Sequence, residues 1–269
     1  MRLKQSTIDR LKKDYGNWVL VTGATSGIGE EIALRLGEAG FNMVITGRRE
    51  HLLTRMSTRL FEAYGVEVIP LAGDLSQQQD VETLMRDTAH LSIGIAILNA
   101  GFGTSGHFIE AEIEQELNMM DLNCRALLQL THHFARQMAS QPGRGAIVLM
   151  SSMVAFQGVP HAAHYAASKA YVQTLGEAIA LELKPKGVDV LCAAPGPVAS
   201  GFADRAGMRM NMTLKPAQVA VPIIRAIGRR NNLLPGLLTR FLVYNLRMTP
   251  RWGKIRIMGK VMAGFTNVE

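Results

Sequence analysis

Tyr165 and Lys169 lie four residues apart in a helical pattern and so share one face, and Ser152 stands thirteen residues upstream of Tyr165 at the end of an apolar run. A phenol, an ammonium and a hydroxyl in that relation can exchange a proton with a carbonyl or alcohol oxygen. A free phenol has a pKa of about 10, too high to trade protons readily near neutral pH. The Lys169 charge favours the phenolate, so Lys169 is expected to lower the Tyr165 pKa and let it work as a general acid or base, while Ser152 holds the reacting oxygen. Ser151 is the neighbouring hydroxyl, but alternation along a strand points it away from Ser152. A Tyr-x-x-x-Lys pair is common on exposed helices, and its meaning rests on partners elsewhere in the chain.

One such partner is a glycine turn. The apolar run from Trp18 to Val21 leads into glycines at 23, 27 and 29, and a helical pattern carrying Ile32, Ala33, Leu36 and Ala39 follows at once. Gly23 permits the tight turn, Gly27 lets the backbone approach a pyrophosphate, and Gly29 allows close helix packing. Thr25, Ser26 and Ile28 complete the turn, and free N–H groups at the helix start face the anion. The spacing is G-x-x-x-G-x-G, not the commoner G-x-G-x-x-G. After the next apolar run, at 42–46, Gly47 stands eighteen residues past Gly29, where a dinucleotide site places a carboxylate on the ribose hydroxyls. Arg48 and Arg49 follow instead, and a guanidinium binds a 2′-phosphate bidentately and stacks on adenine. NADP(H) is expected in preference to NAD(H). The competing reading is that both arginines begin a solvated helix.

Taken in order, the glycine turn after Thr22, the Asn99-Ala100-Gly101 triplet, Asn123, Ser152, the Tyr165/Lys169 pair and Pro195 to Val198 resemble the short-chain dehydrogenase/reductase family over roughly residues 16 to 203. That resemblance implies a Rossmann-like domain that moves hydride between a nicotinamide and a carbonyl or alcohol. It implies a catalytic set of Asn123, Ser152, Tyr165 and Lys169, with Asn123 holding a water that links Lys169 to solvent and Lys169 also bonding the nicotinamide ribose. Asp74, followed by Leu75, resembles the carboxylate that accepts from the adenine amino group; its competing role is to cap a helix beginning near Ser76. Asn99, Ala100 and Gly101 are implied to stabilise the sheet beside the cofactor. Pro195, Gly196 and Val198 resemble the turn that closes over the nicotinamide, with Ser200 where the family usually has Thr. Local likeness to the 3-ketoacyl and 17β-hydroxysteroid reductase branch appears around Tyr15 to Gly23 and Ser151 to Met153. A non-catalytic NADP-binding scaffold or sensor, and an epimerase or dehydratase on the same fold, are the alternatives.

These groups need a scaffold of alternating strands and helices. Nearly continuous apolar runs predict strands at 18–22, 42–46, 67–71, 93–98, 146–150 and 188–193, with a seventh near 232–234. Long helical patterns occupy 111–139 and 163–183. The expectation is an α/β fold, a doubly wound parallel sheet of about seven strands with helices on both faces, in a single domain over residues 1–269 whose segment 205–269 forms a lid and extension. A chain of 269 residues with 48% hydrophobic residues supplies the core. The first ten residues lack the apolar stretch of a signal peptide, so a cytoplasmic location is expected. Cys124 and Cys192 read as reduced, buried thiols. No metal is expected: His132 and His133 are adjacent and diverge on a helix, and His161 and His164 read as ordinary neighbours of Tyr165.

Substrate residues are sought after Ser152 and after Pro195. Met153, Phe156, Phe202 and Met208, with two further methionines up to Met212, suggest an adaptable apolar pocket for a lipophilic ketone, fatty-acyl or steroid-like. Charge is uneven. From Arg205 to Val268 there are twelve Lys or Arg and no Asp or Glu, against seventeen basic and twenty-one acidic groups in residues 1–204. Leu237, Leu238, Phe241, Leu242 and Leu246 recur at helical spacing beside a basic stripe of Arg240, Arg247, Arg251 and Lys254, interrupted by Pro250. Such a segment suits peripheral contact with an anionic membrane, or else covers the substrate cleft or meets a second subunit. Nucleic acid is not an expected partner. A homodimer is expected, and the tetramer of many family members is doubtful because no Asp-Gly-Gly turn follows the last strand.

Overall fold

Seven parallel strands pair in the order β3-β2-β1-β4-β5-β6-β7: β1 is Trp18–Thr22, β2 Asn42–Gly47, β3 Val68–Ala72, β4 Ile93–Leu98, β5 Gly145–Met150, β6 Val188–Ala193 and β7 Asn232–Leu233. The computed structural model describes residues 2–208 and 213–266, apart from the side chains of Asp204 and Arg247. The strands fall within a residue or two of their sequence expectation because β4 and β5, at the sheet centre, are buried at every position. β3, at the edge, is only partly covered and there tolerates Pro70.

Helices α1 (Gln5–Tyr15), α2 (Gly27–Glu38), α3 (Glu50–Tyr64), α4 (Gln78–Thr88), α5 (Ile113–Met120), α6 (Leu127–Ser140), α7 (Ala163–Leu183), α8 (Phe202–Arg205), α9 (Pro216–Ala226), α10 (Leu237–Arg247) and α11 (Arg251–Ala263) complete the order. Two cores lie on opposite faces of the sheet, and β1 feeds both: Val19 and Val21 enter one, Leu20 the other. A third cluster, around Tyr165, Met153, Met208, Leu246 and Met258, joins the C-terminal helices to the end of the sheet where the strands finish. Cys124 and Cys192 are free and buried, and burial raises both thiols, as expected of small hydrophobes.

Two elements differ from the sequence reading. The helical pattern over 111–139 is divided, because Asp121–Ala126 winds as a π-helix between α5 and α6. Helix α1 precedes the region that carries the motifs. It straps the starting edge of the sheet: the Tyr15 hydroxyl donates to Asp189 Oδ2 at 2.7 Å, Lys12 Nζ to the Gly40 carbonyl at 2.9 Å and Arg10 Nη1 to the Ile227 carbonyl at 2.8 Å.

Candidate active site

A cavity of about 1040 Å³ opens beyond the C-terminal ends of the strands, where ligands collect in doubly wound sheets. Gly23, Thr25, Ser26, Gly27 and Ile28 line one end. Gly23 and Gly27 have φ of +66° and +62°, a conformation that side chains disfavour. Gly29 lies behind the wall, where a β-carbon would strike the Gly23 carbonyl and the Asn99 amide. Asn99 binds the turn to the sheet: its Nδ2 donates to the Thr22 and Gly23 carbonyls at 3.1 and 3.3 Å, while Thr22 Oγ1 accepts from the Asn99 and Ala100 N–H groups, each at 2.9 Å.

Arg48, Arg49, Asp74 and Leu75 line the same end. Arg49 Nη2 donates to Thr25 Oγ1 at 2.9 Å, and Arg48 Nη1 stands 3.9 Å from Asp74 Oδ2. Asp74 Oδ1 accepts from the Ser76 N–H at 3.1 Å and from its hydroxyl at 2.9 Å. The carboxylate thus fixes the turn ahead of α4, which starts two residues later than expected, and presents its second oxygen to Arg48. A glycine cradle, a helix start and two guanidinium groups on one wall fit a phosphorylated adenosine.

Ser152, Tyr165 and Lys169 converge midway along the cavity wall beside Asn99, Ala100 and Gly101. Ser152 ends the chain that leaves β5, and Ser151 points away, its hydroxyl donating to the Lys169 carbonyl at 3.2 Å. Tyr165 and Lys169 come from the first two turns of α7 and are 8% and 4% exposed. Lys169 Nζ donates to the Met150 carbonyl at 2.9 Å and lies 6.0 Å from the Tyr165 ring centre. Burial pushes the Tyr165 phenol up to about 12, against the pull of its hydrogen bond with Ser152, and pushes the Lys169 ammonium down to about 8. The expected lowering of Tyr165 by Lys169 is not seen here, because removal from water favours the neutral phenol and outweighs the opposing hydrogen bond with Ser152.

Asn123 stands behind Gly101, outside the cavity lining, and is fully buried in the π-helix. Its Nδ2 donates to the Phe102 carbonyl at 2.8 Å and to Ser168 Oγ at 3.1 Å, and its Oδ1 accepts from the Phe102 N–H at 3.1 Å. The side chain that the resemblance assigns to holding a water thus clamps the peptide after Gly101. A β-carbon on Gly101 would lie 2.8 Å from Asn123 Oδ1 and 3.3 Å from Lys169 Nζ, so the glycine keeps these two groups close.

Pro195, Gly196, Val198 and Ser200 also line the cavity, and the Pro195 carbonyl accepts from the Met153 N–H at 2.9 Å. Met153, Phe202 and Met208 also line it, and the Phe202 ring packs on Tyr165 at 5.4 Å between centres. Phe156 does not. The 3-10 turn Met153–Phe156 carries it onto the third core cluster, so nearness in sequence to Ser152 does not bring it into the cavity. Met210 and Met212 lie outside the described residues. The sequence reading missed how much lining α10 and α11 supply: Leu238, Leu242 and Leu246 from one, Ile257, Met258, Val261 and Met262 from the other. Their helical spacing was the available signal.

His164 Nδ1 pairs with Oε2 of the buried Glu116 at 2.5 Å, joining α5 to α7 beside Tyr165, and His161 packs edge-on against His107. Among the described residues no cluster of ligating side chains could hold a metal ion.

The fold, the glycine turn and the serine, tyrosine and lysine on one wall define a nicotinamide-dependent oxidoreductase class, and the family model described as short chain dehydrogenase matches residues 17–210: the chain belongs to that family. It is similar to a 7beta-hydroxysteroid dehydrogenase of Collinsella aerofaciens, 34% identical over 180 residues that cover 67% of this chain and 68% of the relative. A solved structure of a 7beta-hydroxysteroid dehydrogenase matches at 27% identity with a TM-score of 0.84, over 92% of this chain and 98% of that one. A short-chain dehydrogenase from Sphingobium yanoikuyae in complex with NADPH matches at 28% identity and TM-score 0.77, over 85% and 92%.

Proposed function

We propose that this oxidoreductase uses NADP(H) to reduce a lipophilic ketone, steroid-like or fatty-acyl, or to oxidise the matching alcohol. The carrying observation is the convergence of Ser152, Tyr165 and Lys169 between a phosphate-suited glycine turn and an apolar chamber. The NADP(H) preference is supported by Arg48 and Arg49 at the adenosine end and by the NADPH-bound relative. When bound, the cofactor supplies the hydride. Ser152 holds the substrate oxygen through its hydroxyl. Tyr165 keeps its proton at neutral pH because burial raises its pKa, which suits donation to that oxygen. Lys169 positions the ribose and places a positive charge near the phenol as oxygen charge develops. Asn123 fixes the Gly101–Phe102 peptide and thereby the wall facing Lys169.

The test is loss of NADPH absorbance with a panel of ketones. Tyr165→Phe is expected to cut turnover by roughly 10² to 10⁴ with NADPH affinity nearly unchanged. Turnover at the parent rate would remove Tyr165 as proton donor, and ketone binding without absorbance change would favour a scaffold, epimerase or dehydratase.

The outer C-terminal face supports peripheral contact with an anionic membrane. Leu237, Phe241, Met248 and Trp252 are 82%, 64%, 89% and 65% exposed, among basic residues and no carboxylate up to Val268. No helix among the described residues is long and apolar enough to cross a membrane. Exposed Leu117, Leu128, Tyr171 and Leu181 on α5 to α7 support pairing of two copies.

A further inference from the structure

We propose that Arg205, on the short helix α8, is a third guanidinium for the cofactor's 2′-phosphate and that its engagement seats Phe202 over Tyr165. The proposal deepens the NADP(H) reading above and rests on it.

Arg205 belongs to the segment after the Pro195 turn, far in sequence from the β2–α3 turn that carries Arg48 and Arg49. All three line the same cavity. The Arg205 guanidinium lies over the Phe102 ring, 4.1 Å from its centre, and a guanidinium on an aromatic face keeps N–H groups with which to fork onto an anion. Burial lowers its pKa, Arg48 and Arg49 lower it further, and Asp74 opposes them. The same carboxylate is already shared, with one oxygen given to Ser76 and the other facing Arg48. Three guanidinium groups against one carboxylate leave two positive charges unmatched at this end of the cavity, on side chains that are exposed and so open to a bound anion. A phosphate monoester carries about −1.5 to −2 at neutral pH and has three acceptor oxygens, which matches that excess in charge and in donor geometry.

The second half of the proposal follows from helix spacing. Phe202 stands three residues before Arg205 in α8 and so occupies a neighbouring position on its surface. Phe202 packs on the Tyr165 ring, and its N–H donates to Ser200 Oγ at 3.4 Å. The far side of the helix is tied by Ser105 Oγ, which donates to the Ala206 carbonyl at 2.5 Å. One turn of helix thus has an aromatic ring at the proton donor and a guanidinium at the phosphate end. Capture of the phosphate by Arg205 holds both.

Calorimetric titration of the full-length protein with adenosine 2′,5′-bisphosphate and with 5′-AMP separates the possibilities. In the parent the bisphosphate binds more tightly. Arg205→Ala is expected to weaken it roughly tenfold or more, the usual worth of a charge-assisted hydrogen bond, with 5′-AMP changed less than about twofold, and Arg205→Lys should recover part of the loss. Hydrogen exchange at the amides of residues 202–206 should slow on adding the bisphosphate to the parent and not to Arg205→Ala. Equal weakening of both nucleotides, or no weakening, overturns the phosphate assignment; equal slowing in parent and variant overturns the link to Phe202. A parent that binds both nucleotides equally would overturn the NADP(H) reading as well. Discrimination lost in Arg48→Ala but kept in Arg205→Ala overturns this proposal alone.

Discussion

Lys169 is held in its cavity at a cost. The residue is 4% exposed, pairs with no carboxylate among the described residues, and has its pKa pushed down to about 8. An unfolded lysine titrates near 10.4, so the shift corresponds to about 3 kcal/mol against the folded state at neutral pH. The sign is fixed by the direction. Below about pH 8 the group is charged in both states and the full penalty stands; between about 8 and 10.4 the folded protein releases the proton and the penalty fades. Lys169→Met removes the charge while filling the space, and the Met150 carbonyl then loses its donor, which offsets about 1 kcal/mol or more. The variant is expected to be inactive yet to melt several degrees above the parent at pH 7, with the difference shrinking toward pH 10. Melting curves at the two pH values decide it, and a variant that melts lower at pH 7 would show that the ammonium stabilises the fold.

At the scale of elements, the joint between β4 and the π-helix carries the candidate site. Asn123 satisfies both backbone groups of Phe102, so Asn123→Ala strands a buried N–H and a buried C=O. That should cost roughly 2 to 4 kcal/mol and lower the melting temperature by several degrees, and Asn123→Asp should fall as well at pH 7, because its second carboxylate oxygen would face the Phe102 carbonyl where Nδ2 now donates. If both variants melted like the parent, the clamp would have no structural weight. Much of this was legible beforehand. The strands announced themselves because burial on both faces leaves few polar residues, and the motifs fell at strand ends where ligand groups must emerge. The π-turn was not legible, since Asp121 to Ala126 reads as ordinary helix and the partners that Asn123 meets there, Phe102 and Ser168, are remote in sequence. Phe156 stays out of the cavity for a different reason: the local 3-10 turn Met153–Phe156, invisible in composition, rotates it away. In α10 the apolar spacing was plain, but the inward direction was not, because Leu238, Leu242 and Leu246 form one stripe and Leu237, Phe241 and Tyr244 another, and only the placement of the helix against the cavity chooses between them.

Across the whole molecule, the C-terminal helices carry two apolar stripes that face different ways. The inner stripe lines the chamber beside Tyr165, and the outer one projects into solvent with Arg251, Arg256 and Lys260 nearby; the Arg256 guanidinium lies 5.4 Å from the Trp252 ring. An anionic lipid surface meets both the positive charge and the apolar demand of this outer face. A lipophilic substrate would then reach the chamber from the phase in which it is concentrated. The expected outcome is that the protein co-sediments with phosphatidylglycerol vesicles at low salt, less at high salt, and little with phosphatidylcholine. Each basic residue near such a surface contributes about 1 kcal/mol, so the combined Arg251→Glu, Arg256→Glu and Lys260→Glu variant should lose more than about a hundredfold in partitioning while still binding NADPH, since none of the three lines the cavity. Sedimentation of that variant at the parent level, or failure of the parent to sediment at any salt, would leave the outer stripe as a contact between copies of the chain, and light scattering across a concentration series would then show dimers that Phe241→Ser and Trp252→Ser disrupt.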